Sequence, residues 1–299
     1  MGNHDAKAFV FPADAAFADG LSGFCPTAGN EQQDRLDRNH DLEETAMTTI
    51  SYTRPIDRSV QIAVADASIE ADWTMPLDAR GLVIFAQGSG SSRFSRRNRI
   101  VARNLYDEKF GTLLLDLLTP DEEREDALTA ALRFDTKFLA ERLIAATQWL
   151  KDQEETRGLP VGYFGTSTGA GAALLSAAYR PDLVDAVVSR GGRPDLADIA
   201  LNKVKAPTLL IVGGADARIL ELNRWAYWRL NCERHLEIIP GASHLFEEHG
   251  AFEKATSLTS EWFDRHLDSQ AHQWWRRGIS LPARSDPGQY SSLSPYPTL

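Results

Sequence analysis

Two cysteines in 299 residues, Cys25 and Cys232, are too few and too far apart for a CxxC pair, a zinc cluster or a disulfide framework. A reducing compartment is expected. Long apolar runs are missing too: the longest, such as Leu82 to Ala86 and Thr208 to Val212, fall far short of the ~20 residues that span a bilayer. The N-terminus, with Asp5 and Lys7, has no apolar stretch ending in a small-residue cleavage site. A cytoplasmic location and no membrane partner are the expectations. Basic excess is absent as well, since the formal net charge is −10. Residues 1–50 alone hold nine acidic residues against Lys7, Arg35 and Arg38. A chain of this sign lacks the basic footprint that phosphate backbones require, which excludes nucleic acid as a partner. The partners expected are a small-molecule substrate and, as an open assembly state, a second copy in a homodimer.

What is present is apolar residue enough for one large core, 43% of the chain. Residues 1–50 show no sustained period and mix Gly, Pro, Asp and Gln, so they read as a disordered extension. Residues 268–299 carry four prolines and end Ser-Pro-Tyr-Pro before the last two residues, and read as a disordered tail in which only Trp274 and Trp275 offer local docking. Residues 51–267 form the folded domain. Within it, Val60 to Ala63 and Ile69 to Thr74 predict an opening antiparallel pair. Leu82 to Ala86, Thr112 to Leu115, Val161 to Phe164, Ala186 to Val188, Thr208 to Val212 and Leu236 to Ile239 predict buried strands. Helical spacing lies between them: Val101 and Leu105; Phe138 to Leu150 behind an Asp135 N-cap; Phe252, Ala255, Leu258 and Trp262. This alternation predicts an α/β fold, a mostly parallel sheet with helices on both faces. Chemistry is then sought in loops at the carboxyl ends of the strands.

One such loop holds G-x-S-x-G as Gly165, Ser167 and Gly169, between the strand ending at Phe164 and an alanine-rich helix stopped by Pro181. A serine hydroxyl attacks only when exposed, aligned and deprotonated, and a sharp strand-to-helix turn meets the first two needs. The competing reading is a βα turn in which Ser167 caps the helix. A serine nucleophile needs a base and an acid, expected in the order Ser, acid, His on loops after later strands. Asp216, in Gly213-Gly-Ala-Asp216, and His244, in Pro240-Gly-Ala-Ser-His244, meet that order. Asp216 could instead be a turn aspartate bonding its own backbone, and His249 competes with His244. The oxyanion hole is assigned to the amides of Thr168 and of Ser89, in the loop Gln87-Gly-Ser-Gly-Ser-Ser92. No GK[ST] follows that loop, so it is not a P-loop. Arg93, Arg96, Arg97 and Arg99 come next; they read as a solvated helix face or, functionally, as an anion-binding rim in which Arg96 and Arg97 contact substrate.

At Phe85-Ala-Gln-Gly-Ser-Gly-Ser-Ser92, Gly165-Thr-Ser-Thr-Gly169, Pro207-Thr-Leu-Leu-Ile-Val-Gly-Gly214 with Asp216, and Pro240-Gly-Ala-Ser-His-Leu-Phe246 the chain resembles the dienelactone-hydrolase-like branch of the α/β hydrolases. Ser189-Arg-Gly-Gly-Arg-Pro-Asp195 and Glu221-Leu-Asn-Arg224 resemble the hydrolase domains that some bacteria fuse to a phosphoribosyltransferase. The resemblance covers about residues 50–267. It implies an α/β-hydrolase fold with little or no cap domain and no cofactor. Ser167 stands where dienelactone hydrolases proper use cysteine, and Gln87 where a histidine is usual, so only hydrolase chemistry carries over. The function expected is hydrolysis of a small ester, thioester or lactone through an acyl-enzyme on Ser167. The alternatives are acyl transfer by the same triad and a non-catalytic ligand-binding module.

Overall fold

The computed structural model describes residues 54–65, 67–88 and 90–267. The expectations for residues 1–50 and 268–299, and the assignment of Ser89, therefore lie outside the described residues. A single eight-stranded sheet runs in the order β1-β2-β4-β3-β5-β6-β7-β8. Its strands are β1 Ile56–Val64, β2 Ala67–Met75, β3 Gly81–Ala86, β4 Phe110–Leu115, β5 Val161–Thr166, β6 Ala186–Arg190, β7 Thr208–Gly213 and β8 Arg234–Ile239. β1 pairs antiparallel with β2, and β2 with β4; every other pairing is parallel. The helices are α1 Arg96–Asp107, α2 Pro120–Thr129, α3 Thr136–Lys151, α4 Thr168–Tyr179, α5 Ala217–Arg229 and α6 Ala251–His266. Among the described residues no helix is long and apolar enough to cross a membrane.

Alternation along the strands assigns each side chain to one of two cores. Leu82, Ile84, Leu113, Leu115, Tyr163, Val187 and Leu210 face α3 and α4. Val83, Phe85, Leu114, Phe164, Val188, Leu209 and Ile211 face α1 and α6. A sheet covered on both faces needs apolar residues at every position, hence the continuous runs. β8 departs from the expectation of a buried strand: it is the sheet's last strand, and only Ile239 is fully buried. The connection from β6 to β7 is a 3₁₀ segment, Pro194–Lys203, whose Ala197, Ala200 and Leu201 join the first core, so no cap is inserted there. Asp135 does cap α3, accepting from Phe138 N–H at 3.0 Å. Apart from α1, which follows the Gly88–Ser95 loop, the connections that follow β5 and β7 are short. Parallel pairing brings the strand ends Thr166, Arg190 and Gly213 to the same end of the sheet as Ala86.

Candidate active site

β5 ends at Thr166 and α4 begins at Thr168, so Ser167 alone makes the turn, at φ 48° and ψ −126°. That conformation costs a non-glycine residue roughly 1–3 kcal/mol and persists only where neighbours impose it. The neighbours are close. A Cβ on Gly165 would meet Ala170 Cα at 2.5 Å, and one on Gly169 would meet the carbonyl oxygens of Ala86 and Gln87 at 2.2 and 2.5 Å. The Ser167 carbonyl accepts from the amides of Arg193, at 2.9 Å, and Ala170, at 3.2 Å. Its hydroxyl makes no capping bond to α4, which removes the helix-cap reading. Gly169→Ala is expected to cost at least about 3 kcal/mol, because the obstructing atoms are backbone and cannot rotate away. At 2–4 °C per kcal/mol this lowers Tm by roughly 6–12 °C, which thermal denaturation checks. An unchanged Tm would mean that the helix packs less tightly on β3 than these distances require.

The loop after β3 crosses directly over this turn: a Cβ on Gly88 would sit 2.6 Å from Ser167 Cβ and 3.4 Å from its Oγ. Gly88 N–H donates to Thr166 Oγ1 at 3.2 Å. Thr168, buried, opens α4, where amides point along the positive end of the helix dipole. Gln87 ties the loop to α1, its Oε1 accepting from Asn98 Nδ2 at 3.0 Å and Ser91 Oγ at 3.2 Å.

Asp216 and His244 are held by interlocked loops. The loop after β7 and the loop after β8 bond through Gly214 N–H to Ile239 O (2.8 Å) and Ala215 N–H to Ala242 O (2.9 Å). Asp216 uses both carboxylate oxygens. Oδ1 accepts from Ile219 N–H at 3.3 Å, capping α5, and Oδ2 lies 2.7 Å from His244 Nδ1. One side chain thus makes both the backbone bond of a helix cap and the contact with the imidazole. His244 is 42% exposed and Asp216 17%, so water reaches the ring more than the carboxylate. Ser167 and His244 line one open cleft of about 600 Å³, with Gly88, Gly90, Arg97 and Arg190 among its walls. His249 is exposed and is not a lining residue of this cleft. A second cavity of about 290 Å³, lined by Thr168, Leu117 and Glu123 among others, shares Gly88 and Gly90 with the first.

The four arginines separate. Arg93 is held by Asp116, Glu70 and Asp72 at the β2–β4 side, and Arg99 by Asp72 at 2.8 Å. Arg96 is exposed and does not line the cleft. Arg97 lines it and pairs with Glu247 at 2.6 Å. Arg190, at the end of β6, lines the cleft too and is a residue that sequence reasoning misses. Its local signals are a charge ending the run Ala186-Val-Val-Ser and its place in the segment Ser189-Arg-Gly-Gly-Arg-Pro-Asp195.

The model of the dienelactone hydrolase family matches residues 69–275, which include Ser167, Asp216 and His244. The chain belongs to the dienelactone hydrolase family. Within it, a dienelactone hydrolase of Anabaena variabilis of known crystal structure is 52% identical, with a TM-score of 0.69, covering 71% of this chain and 99% of that one. A Mycobacterium tuberculosis protein named as a putative phosphoribosyl transferase is 48% identical over 254 residues, 84% of this chain and 56% of its own length. The chain thus spans about half the length of the curated relatives it matches, in keeping with the resemblance to fused hydrolase domains. An esterase of Pyrococcus furiosus, 19% identical with a TM-score of 0.56 over 71% of this chain and 94% of that one, shares the fold. The α/β-hydrolase fold stands on these matches, and the hydrolase character on membership of the dienelactone hydrolase family.

Proposed function

We propose that the chain is a serine hydrolase that cleaves a small ester, thioester or lactone through an acyl-enzyme on Ser167. The observation that carries this reading is the 2.7 Å contact of Asp216 Oδ2 with His244 Nδ1 in a cleft that Ser167 enters from a positive-φ turn. With Nδ1–H donated to the carboxylate, Nε2 is the ring nitrogen left to accept the Ser167 proton. Oγ then attacks the carbonyl carbon. The negative charge that develops on oxygen falls to the Thr168 amide and to a second amide from the loop of residues 87–92, assigned to Ser89, each such donor being worth about 10²–10³ in rate. The imidazolium returns its proton to the departing alcohol or thiol. Water, deprotonated by the same nitrogen, releases the acid. Hydrolysis is favoured over transfer because the cleft is open and His244 is 42% exposed, which admits water to the acyl-enzyme.

A fluorophosphonate probe tests this directly. It is expected to label the intact protein once, with mass spectrometry placing the adduct on Ser167, and a short p-nitrophenyl ester is expected to turn over. A protein that neither labels nor turns over such esters would be a binding module on a hydrolase fold instead.

A further inference from the structure

Arg190 sits in β6 beside β5, in register with Thr166, the residue before Ser167. Its side chain is buried, only 8% exposed, yet it lines the same cleft as Ser167 and His244. The guanidinium lies near the rings of Phe164 and Phe252, at 5.1 and 5.2 Å from the ring centroids. Nη2 donates to Asn98 Oδ1 at 3.1 Å. Nη1 is buried and has no hydrogen-bond partner among the described residues. Burial pulls the pKa down to about 10, and the nearby charge that adds to this is Arg97, another cation. The group therefore keeps its charge near neutral pH while no carboxylate among the described residues neutralises it. An uncompensated buried charge is strongly unfavourable, and a buried N–H without an acceptor adds to that. Such a group makes physical sense where an anion completes it.

We propose that the Arg190 guanidinium anchors an anionic group of the substrate, a carboxylate or a phosphate, with Arg97 in the same cleft contributing a second positive charge. This rests on the reading of the cleft as the hydrolytic site. The planar fork of arginine suits both oxyanion types. Arg97 is at present paired with Glu247, a contact at the surface where water weakens it. Among the described residues Arg190 has no such competitor. The two residues also differ from the sequence expectation for an anion site: its lining member Arg97 remains, and Arg190 takes the place given to Arg96.

The test compares two p-nitrophenyl esters of equal chain length, the hemiglutarate and the pentanoate. Wild type is expected to have kcat/KM at least tenfold higher for the anionic ester, and Arg190→Met to lower that ratio about tenfold to a hundredfold, the worth of a charge-assisted bond. Arg190→Lys, which restores a point charge, is expected to recover part of the ratio. Calorimetric titration of the full chain with glutarate and with inorganic phosphate separates the two anions by which binds more tightly, and either affinity is expected to fall at least tenfold in Arg190→Met. If Ser167 labels normally but wild type shows no preference and binds neither anion, the proposal is overturned. If labelling fails while Arg190→Met still abolishes anion binding, the hydrolase reading falls and the anion site stands. Should Arg190→Met not fold, the wild-type ratio and the Lys variant decide: a ratio at or below one overturns the proposal.

Discussion

Ser167→Ala is expected to lower ester turnover about 10⁴-fold or more while leaving Tm essentially unchanged. The activity loss follows because the attacking atom is removed and nothing else on the turn replaces it. The stability result follows because the hydroxyl caps no helix amide, and alanine keeps the same backbone strain as serine at φ 48°. Ser167→Gly sharpens the point. Glycine adopts positive φ without the Cβ clash, so it relieves strain of roughly 1–3 kcal/mol against its own entropic cost of about 0.5–1 kcal/mol. Its Tm is expected to rise while activity stays lost. A serine kept for folding would show the reverse: both variants active and both less stable. Turnover retained by purified Ser167→Ala would remove this residue from the mechanism.

The strands and the three candidate site residues are legible in the sequence for the same reason: each depends on local pattern. Leu82 to Ala86 and Leu209 to Val212 are apolar at every position, as only strands buried on both faces need be, and Ser167, Asp216 and His244 stand in loops that follow strands. β8 is harder, since His235 and Glu237 belong to an edge strand whose burial is partial. Helix α2 carries no apolar stripe, and Asp126 is its one buried residue. It is held by other means: Pro120 in its first turn, a capping box between Thr119 and Glu122, and the Glu122 carboxylate bonded by buried Arg142. Burial alone would raise the Glu122 pKa, but the Arg142 guanidinium and the Thr119 amide hold it below the ordinary carboxylate range. Periodicity does not register such a helix.

Charge is the least legible feature. Arg93 and Arg99 read as part of a rim because they are close to Arg96 and Arg97 in sequence, yet their partners, Glu70, Asp72 and Asp116, come from β2 and the end of β4. Arg190 looks like an ordinary strand end. What sets it apart is the α1 residue Asn98 folding over it, a pairing across 92 residues of sequence. Long-range partners decide whether an arginine is neutralised, exposed or left waiting for an anion, and no local pattern encodes them.

Asp216→Asn is expected to lower kcat about 10⁴-fold, the size of loss that an Asp→Asn change produces in a serine triad, with little change in Tm. Asp216→Ala is expected to lose both. The difference arises because the carboxylate does two jobs with two oxygens. Oδ2 faces His244 Nδ1 at 2.7 Å and Oδ1 caps α5 through Ile219 N–H at 3.3 Å. An asparagine can leave its oxygen on the helix amide and turn its NH₂ toward the ring. Nδ1 must then accept a hydrogen bond, so the proton moves to Nε2, the nitrogen that should take the Ser167 proton. The wrong tautomer is the physical reason for the loss. Alanine removes the cap as well, which costs about 1 kcal/mol and a correspondingly lower Tm. Activity and thermal denaturation measured on the two variants separate the roles. Asp216→Asn with activity within about tenfold of wild type would show that His244 is oriented by something other than this carboxylate, and would return Asp216 to the role of a helix cap alone.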